Sequence, residues 1–194
     1  AEWTRAHGSA FRVNVNLSAK NFNEPGLIDA VAEAIASSGI EPSRLVLEMT
    51  ETGLLAGEPI EEDLRALKSL GVRLAIDDFG TGYASLSYLQ RFPIDMIKID
   101  RAFVGGTIDA AQRARDGWAL ARAIVRMGQA LGIETVAEGV EAEWQREALM
   151  RLGCKTGQGF LFSQPLPSNA IPALLAEESR ARARSAGGSS RACS

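Results

Sequence analysis

The sequence predicts an α/β protein built on parallel strands, and two observations carry that expectation. Short runs of branched apolar residues alternate with longer stretches of helical periodicity from one end to the other, which is how repeated βα units read in sequence. Polar residues collect at the C-terminal ends of the apolar runs, where a parallel barrel gathers its strand ends into one mouth. With 194 residues, 46% hydrophobic and 23% charged, the chain has the composition of one ordinary domain with a sizeable core.

Six strands are expected, in residues 11–17, 44–49, 73–77, 95–100, 134–138 and 158–162. Between them, Leu27, Ile28, Val31 and Ile35 recur at helical spacing, as do Ile60, Leu64 and Leu67, and later Trp118, Ala123, Ile124, Met127 and Leu131. Each set forms the inner face of a covering helix. Gly39, Gly71 and Gly132 stand where left-handed helix caps are wanted, and Pro25 and Pro59 lie near helix starts. After Pro167 one more helix is expected from Asn169 to about Arg184, followed by a Gly/Ser-rich tail. Arg180, Arg182 and Arg184 suit either a solvated helix C-terminus or an acidic partner.

Composition also excludes several functions. A net charge of −3 argues against neutralising a nucleic-acid polymer, but not against a small anionic ligand held by metal ions. Two cysteines, Cys154 and Cys193, make neither a disulfide framework nor a four-ligand zinc site. The lone His7 lies outside every motif. No apolar run approaches the ~18 residues of a membrane span and no signal peptide opens the chain, so the domain is expected to be cytoplasmic and free of membrane contact. The first residues, Ala1, Glu2 and Trp3, read like the last turn of a helix, which predicts a piece cut from a longer parent that can itself be membrane-anchored.

The strand ends carry the chemistry. Val13 to Ser18 finishes its run on Asn16, Leu45 to Glu48 on a glutamate, Leu74 to Asp78 on two aspartates, and Thr135 to Glu138 on another glutamate. Lys98 and Asp100 share one face of their run, opposite Ile97 and Ile99. Gathering Glu48, Asp77, Asp78 and Glu138 without compensation would force some of them to stay protonated, and a cation resolves the conflict. All-oxygen ligands, the amide of Asn16 included, suit Mg²⁺ or Mn²⁺ rather than zinc. Adjacent Asp77 and Asp78 can face two ions about 3.5–4 Å apart, as in two-metal phosphodiesterases. Asp78 can equally cap the helix beginning near Ala84. Gly80 and Gly82 allow either a mobile loop over the metals or a plain turn.

These residues, in this order, resemble the EAL-domain family of cyclic-di-GMP phosphodiesterases of bacterial signalling. The likeness rests on Asn16-Leu-Ser18, Leu47-Glu-Met-Thr-Glu51, Asp77-Asp-Phe-Gly-Thr-Gly-Tyr83 followed by Ser85 and Leu86, Ile97-Lys-Ile-Asp100, Val136-Ala-Glu-Gly-Val-Glu141, and Gly157-Gln-Gly-Phe-Leu-Phe162 with Pro165-Leu-Pro167. The resemblance implies hydrolysis of one phosphodiester bond of cyclic-di-GMP to linear pGpG with two Mg²⁺ or Mn²⁺ ions. By motif, Asn16, Glu48 and Asp77 resemble ligands of one ion, with Asp77 and Asp78 serving the second. Glu138 is similar to the family's glutamate beside the attacking water, as ligand or general base, and Lys98 to the lysine that positions water and phosphate. Glu51 resembles the anchor of the Asp-Asp-Phe-Gly loop. Asp100, Glu141, Gln158 and Pro165 resemble positions that face or support the substrate, while Gln164 stands where arginine or lysine is frequent. The resemblance also allows a homodimer.

A complete barrel of this type has eight strands and typically about 250 residues. Six can be counted here, so the expected fold is an incomplete TIM-like (β/α) barrel, with residues 1–175 as a partial barrel and 176–194 as helix end and tail. The family's strand bearing the Glu-Ala-Leu signature has no equivalent between Ala1 and Asn16, which predicts weak or no activity for this chain alone. The competing expectation is an inactive cyclic-di-GMP receptor or interaction module.

Overall fold

In a computed structural model of the chain, which describes residues 11–54, 60–82, 86–105 and 111–176, six strands pair side by side in chain order, every neighbour parallel. They are β1 (Val13–Asn16), β2 (Leu45–Thr50), β3 (Arg73–Phe79), β4 (Met96–Ile99), β5 (Glu134–Ala137) and β6 (Thr156–Gly157). The helices are α1 (Leu27–Ser38), α2 (Glu51–Leu54), α3 (Ile60–Ser69), α4 (Leu86–Arg91), α5 (Arg101–Val104), α6 (Ala111–Leu131) and α7 (Glu143–Leu152). Gly39, Gly71 and Gly132 all take positive φ, as their positions after helical stretches predict.

Strand alternation divides the apolar residues between two cores. On one face, Val46, Ala75, Met96 and Val136 form a buried cluster of their own. On the other, Leu47, Leu74, Ile76, Ile97 and Ile99 join Leu64 and Leu67 of α3, Ile124 and Val125 of α6 and Leu149 of α7. A strand buried on both faces has its period-2 pattern filled in by apolar residues, which is why β2 reads as Leu-Val-Leu before its first acid.

The sheet is curled. Arg12, next to β1, donates two 3.0 Å hydrogen bonds to the Glu134 carboxylate on β5. In a flat sheet those strands would stand roughly 19 Å apart, at about 4.8 Å per step. Arg73 of β3 and Thr156 of β6 bond to the same carboxylate, at 3.0 and 3.1 Å. A single anion thus gathers the lower ends of four strands on the concave side. The expected incomplete TIM-like barrel is what the chain forms.

Three details differ from the sequence expectation. β3 does not end at Asp77 but continues through both aspartates to Phe79. The last strand is Thr156–Gly157 rather than residues 158–162. Gly159 lies so close to Val140 that a Cβ there would stand 2.3 Å from the Val140 nitrogen and oxygen, and the chain turns at that point, the Phe162 N–H bonding to the Gly159 carbonyl at 3.0 Å. Finally, a one-turn helix, α2, follows β2 immediately, where no helical periodicity signals it.

Residues 12–164 make one compact unit. The described part of the second unit is Phe11 and residues 165–176, with a 3₁₀ turn at Ser168–Ala170 and helix over 171–176. His7, Pro59, Tyr83, Ser85, Arg180, Arg182, Arg184 and Cys193 lie outside the described residues. No helix among the described residues is long and apolar enough to cross a membrane.

Candidate active site

Two residues beyond Val46, Ala75, Met96 and Val136 on the same face stand Glu48, Asp77, Lys98 and Glu138, so one further step along four strands changes an apolar layer into a charged one. Lys98 is its centre. Its ammonium lies 2.8 Å from Glu48 Oε2, 2.9 Å from Asp77 Oδ1 and 2.5 Å from Glu138 Oε1, and the residue is 3% exposed. Burial alone would push the lysine's pKa down, but the bonds to Glu138, Glu48 and Asp77 outweigh it and hold the pKa above its ordinary value. Lys98 stays protonated.

Asp77 and Asp78 would point to opposite faces in a regular strand. They do not, because β3 carries a bulge. Ile76 pairs with Ile97 and Phe79 with Ile99, so two aspartates stand against Lys98 alone. Asp78 is the described non-glycine residue with positive φ, at 52°, and its N–H donates to Asp77 Oδ1 at 3.1 Å. The result brings carboxylate oxygens of Asp77, Asp78 and Glu138 within 4.8 Å of one another.

Such a cluster is short of positive charge, with four carboxylates around one lysine. The Asp78 pKa is raised by burial first, then by the Asp77 charge and by Asp100, with Lys98 opposing. Glu138 is raised by burial, against the pull of Lys98 and with the help of Asp77 and Glu48. Both shifts mark a place where a further cation would be welcome, and an oxygen-only donor set fits a hard divalent ion.

Asn16 ends β1 in register with Glu48, at the edge of this layer. The amide that touches Glu48 is nevertheless that of Asn14, whose Nδ2 donates to Oε1 at 2.6 Å. Asn14 shares the face of Asn16, and the alternation Asn-Val-Asn was the available signal.

Glu51, in α2 and 4% exposed, accepts the Gly80 N–H on Oε2 at 3.0 Å. A Cβ on Gly82 would meet Glu51 Oε1 at 2.8 Å, so a side chain there would have to displace the end of the glutamate on which the loop lies. The Asp78 carbonyl accepts the Thr81 hydroxyl at 2.8 Å and its side chain stands with the cluster, while residues 83–85, where a cap of the following helix would act, lie outside the described residues. Asp100 caps α5 by accepting the Ala102 N–H at 2.8 Å.

Glu141 and Gln158 are exposed, and the contacts the structure gives them are made by backbone. The Glu141 N–H donates to Gln145 Oε1 at 2.7 Å, and the Ala142 N–H to the same oxygen at 2.8 Å. Gln145, 5% exposed, also donates from Nε2 to the Val104 carbonyl at 3.1 Å, tying the turn after Glu138 to the end of α5. Sequence reasoning missed this residue, because a glutamine three positions into a helix looks like solvated surface. Pro165 belongs to the smaller unit.

Comparison with known proteins gives a consistent result. The family model for the EAL domain matches residues 1–165. The bifunctional diguanylate cyclase/cyclic di-GMP phosphodiesterase MucR of Pseudomonas aeruginosa is 42% identical over 175 residues, covering 90% of this chain and 25% of the relative. The chain thus spans a quarter of that relative's length. Among solved structures, the MucR phosphodiesterase in complex with c-di-GMP superposes with a TM-score of 0.80 at 41% identity, over 88% of this chain and 68% of that one. The Klebsiella pneumoniae BlrP1 manganese/cy-diGMP complex gives 0.73 at 32% identity, over 84% and 41%.

Proposed function

The chain belongs to the EAL-domain family, and on that premise we propose that, within the full protein containing it, it serves to hydrolyse one phosphodiester bond of cyclic-di-GMP to linear pGpG. The single observation that carries the reading is Lys98 at the centre of Glu48, Asp77 and Glu138, with Asp78 turned to the same side by the bulge. Similarity to the manganese-bound BlrP1 structure supports two Mg²⁺ or Mn²⁺ ions as cofactors. Asn16, Glu48 and Asp77 would hold one, Asp77 and Asp78 the other, with Glu138 a ligand or the general base. When bound, the ions neutralise phosphate charge and make water acidic enough to attack at neutral pH.

The chain's own residues supply position and proton transfer. Lys98, held protonated, fixes the directions of three carboxylates and adds a positive charge where the phosphate's negative charge grows. Glu138 is a carboxylate with an upward-shifted pKa, suited to accept the proton of the attacking water and return it to the leaving oxygen. Glu51 holds the loop after Asp78 in place through the Gly80 N–H. Asp100, Glu141, Gln158 and Pro165 are assigned to the substrate side by motif. A cytoplasmic setting fits the unpaired, buried thiol of Cys154.

The experiment is direct. The full protein containing this chain is mixed with cyclic-di-GMP and Mg²⁺ or Mn²⁺, and products are separated by chromatography. Linear pGpG is expected; unchanged substrate with tight binding would instead make the chain a receptor.

A further inference from the structure

Resting on the metal-site reading above, we propose that Asn14 is a positioning residue for Glu48 and thereby sets the metal affinity of the site. Glu48 is 6% exposed and holds one donor on each oxygen: Asn14 Nδ2 at 2.6 Å from Oε1 and Lys98 Nζ at 2.8 Å from Oε2. An ionised carboxylate offers about four lone-pair sites, so two donors leave room for a cation while fixing the plane of the group. The two donors are not equivalent. Lys98 is shared with Asp77 and Glu138, and its position is a compromise among three acids. Asn14 bonds only Glu48 within the cluster, and pulls it from the opposite side.

The register explains the reach. β1 pairs with β2 as Asn14↔Val46 and Asn16↔Glu48, so Asn14 stands one inward-facing row below the strand-end ligand and approaches Glu48 from beneath. From there its amide can orient the carboxylate without occupying the mouth, and being neutral it does not repel an arriving cation, as a lysine or arginine would. Removing Asn14 would leave Lys98 as the described hydrogen-bond donor to Glu48 and let the carboxylate turn further toward it. Hydrogen-bond partners of ligating groups typically matter about 10–100-fold in metal affinity or activity.

The test is a double-mutant cycle read by calorimetric titration of Mn²⁺ into the full protein containing this chain. Asn14→Leu, with the same branching and number of side-chain heavy atoms but no donor, should weaken Mn²⁺ binding by about tenfold or more. In a Glu48→Gln background the same change should have no further effect, because its only route is through that carboxylate. With cyclic-di-GMP, kcat should fall while KM stays near its original value. Asn14→Ser serves as a second variant should Asn14→Leu fail to fold, as judged by a thermal melt in EDTA. Unchanged Mn²⁺ affinity, or equal weakening in both backgrounds, overturns the proposal. A wild-type protein that binds Mn²⁺ but does not hydrolyse the nucleotide would overturn the phosphodiesterase reading alone, whereas one that takes up no Mn²⁺ overturns both.

Discussion

Lys98 Nζ lies 2.5 Å from Glu138 Oε1, joining the middle of β4 to the residue that follows β5. The same ammonium holds Glu48 and Asp77, so one buried cation keeps two acids from β2 and β3 and a third just after β5 in a shared position. Lys98→Met should therefore destabilise the metal-free protein. Leaving buried charge without its partner typically costs about 3–5 kcal/mol. Divalent ions would replace part of the lost charge, so the loss of melting temperature should be smaller in Mn²⁺ than in EDTA. Equal losses under both conditions would contradict the cluster's proposed role.

Asp77, the proposed shared ligand of the two ions, touches Lys98 at 2.9 Å. Asp77→Asn keeps the shape and removes the charge. Turnover of cyclic-di-GMP should drop by at least about a hundredfold, as expected when a group acting on both ions is lost. Near-normal activity would sink the two-ion assignment.

A Cβ at Gly82 would stand 2.8 Å from Glu51 Oε1, so the glutamate's carboxylate must shift to admit one. Gly82→Ala should push the loop off its anchor at a cost of about 1–3 kcal/mol, the usual range for overpacking. Hydrolysis rate and urea unfolding measured together check this. A variant with full activity would show that the loop's seat on Glu51 is unimportant.

Gln145→Ala deletes three hydrogen bonds at once, two accepted from Glu141 and Ala142 and one donated to Val104. Groups left unpaired in a buried place cost about 1–3 kcal/mol, and urea unfolding should show a loss in that range. A midpoint indistinguishable from wild type would mean that water replaces the side chain freely.

Glu134 supplies a pH test away from the metal cluster. Burial would raise its pKa, but Arg12 and Arg73 outweigh burial and hold it below the ordinary value of 4.5. A depressed folded-state pKa gives stability that is present above the unfolded value and lost as pH falls through the folded one. Between pH 7 and pH 3, wild type should thus lose more melting temperature than Glu134→Gln, which starts lower. Parallel curves for the two would show that the Arg12–Glu134–Arg73 contact adds nothing to folding.

How much of this was legible in the sequence depends on how local the cause is. Val46 and Glu48, or Met96 and Lys98, reveal a strand whose inner face turns from apolar to charged, because alternation is a property of the strand alone. Family motifs then singled out Glu51, whose carboxylate accepts the Gly80 N–H in the structure, and Lys98. The bulge at Asp77 and Asp78 was not legible, since it exists only as a mismatch against β4. Asn14 and Gln145 were missed for the same reason: an amide's importance lies in its partner, and those partners are 34 and 41 residues away in sequence for the Asn14–Glu48 and Gln145–Val104 bonds.

The sequence by itself determined the order of βα units, the apolar faces and the acids available at the strand ends, because short-range periodicity and residue chemistry suffice for these. Tertiary structure alone decided that β1 and β5 curl close enough for Arg12 to reach Glu134, that the bulge turns both aspartates to one side, and that Lys98 bonds Glu48, Asp77 and Glu138 together. Those outcomes depend on distances between strands, which no single strand encodes.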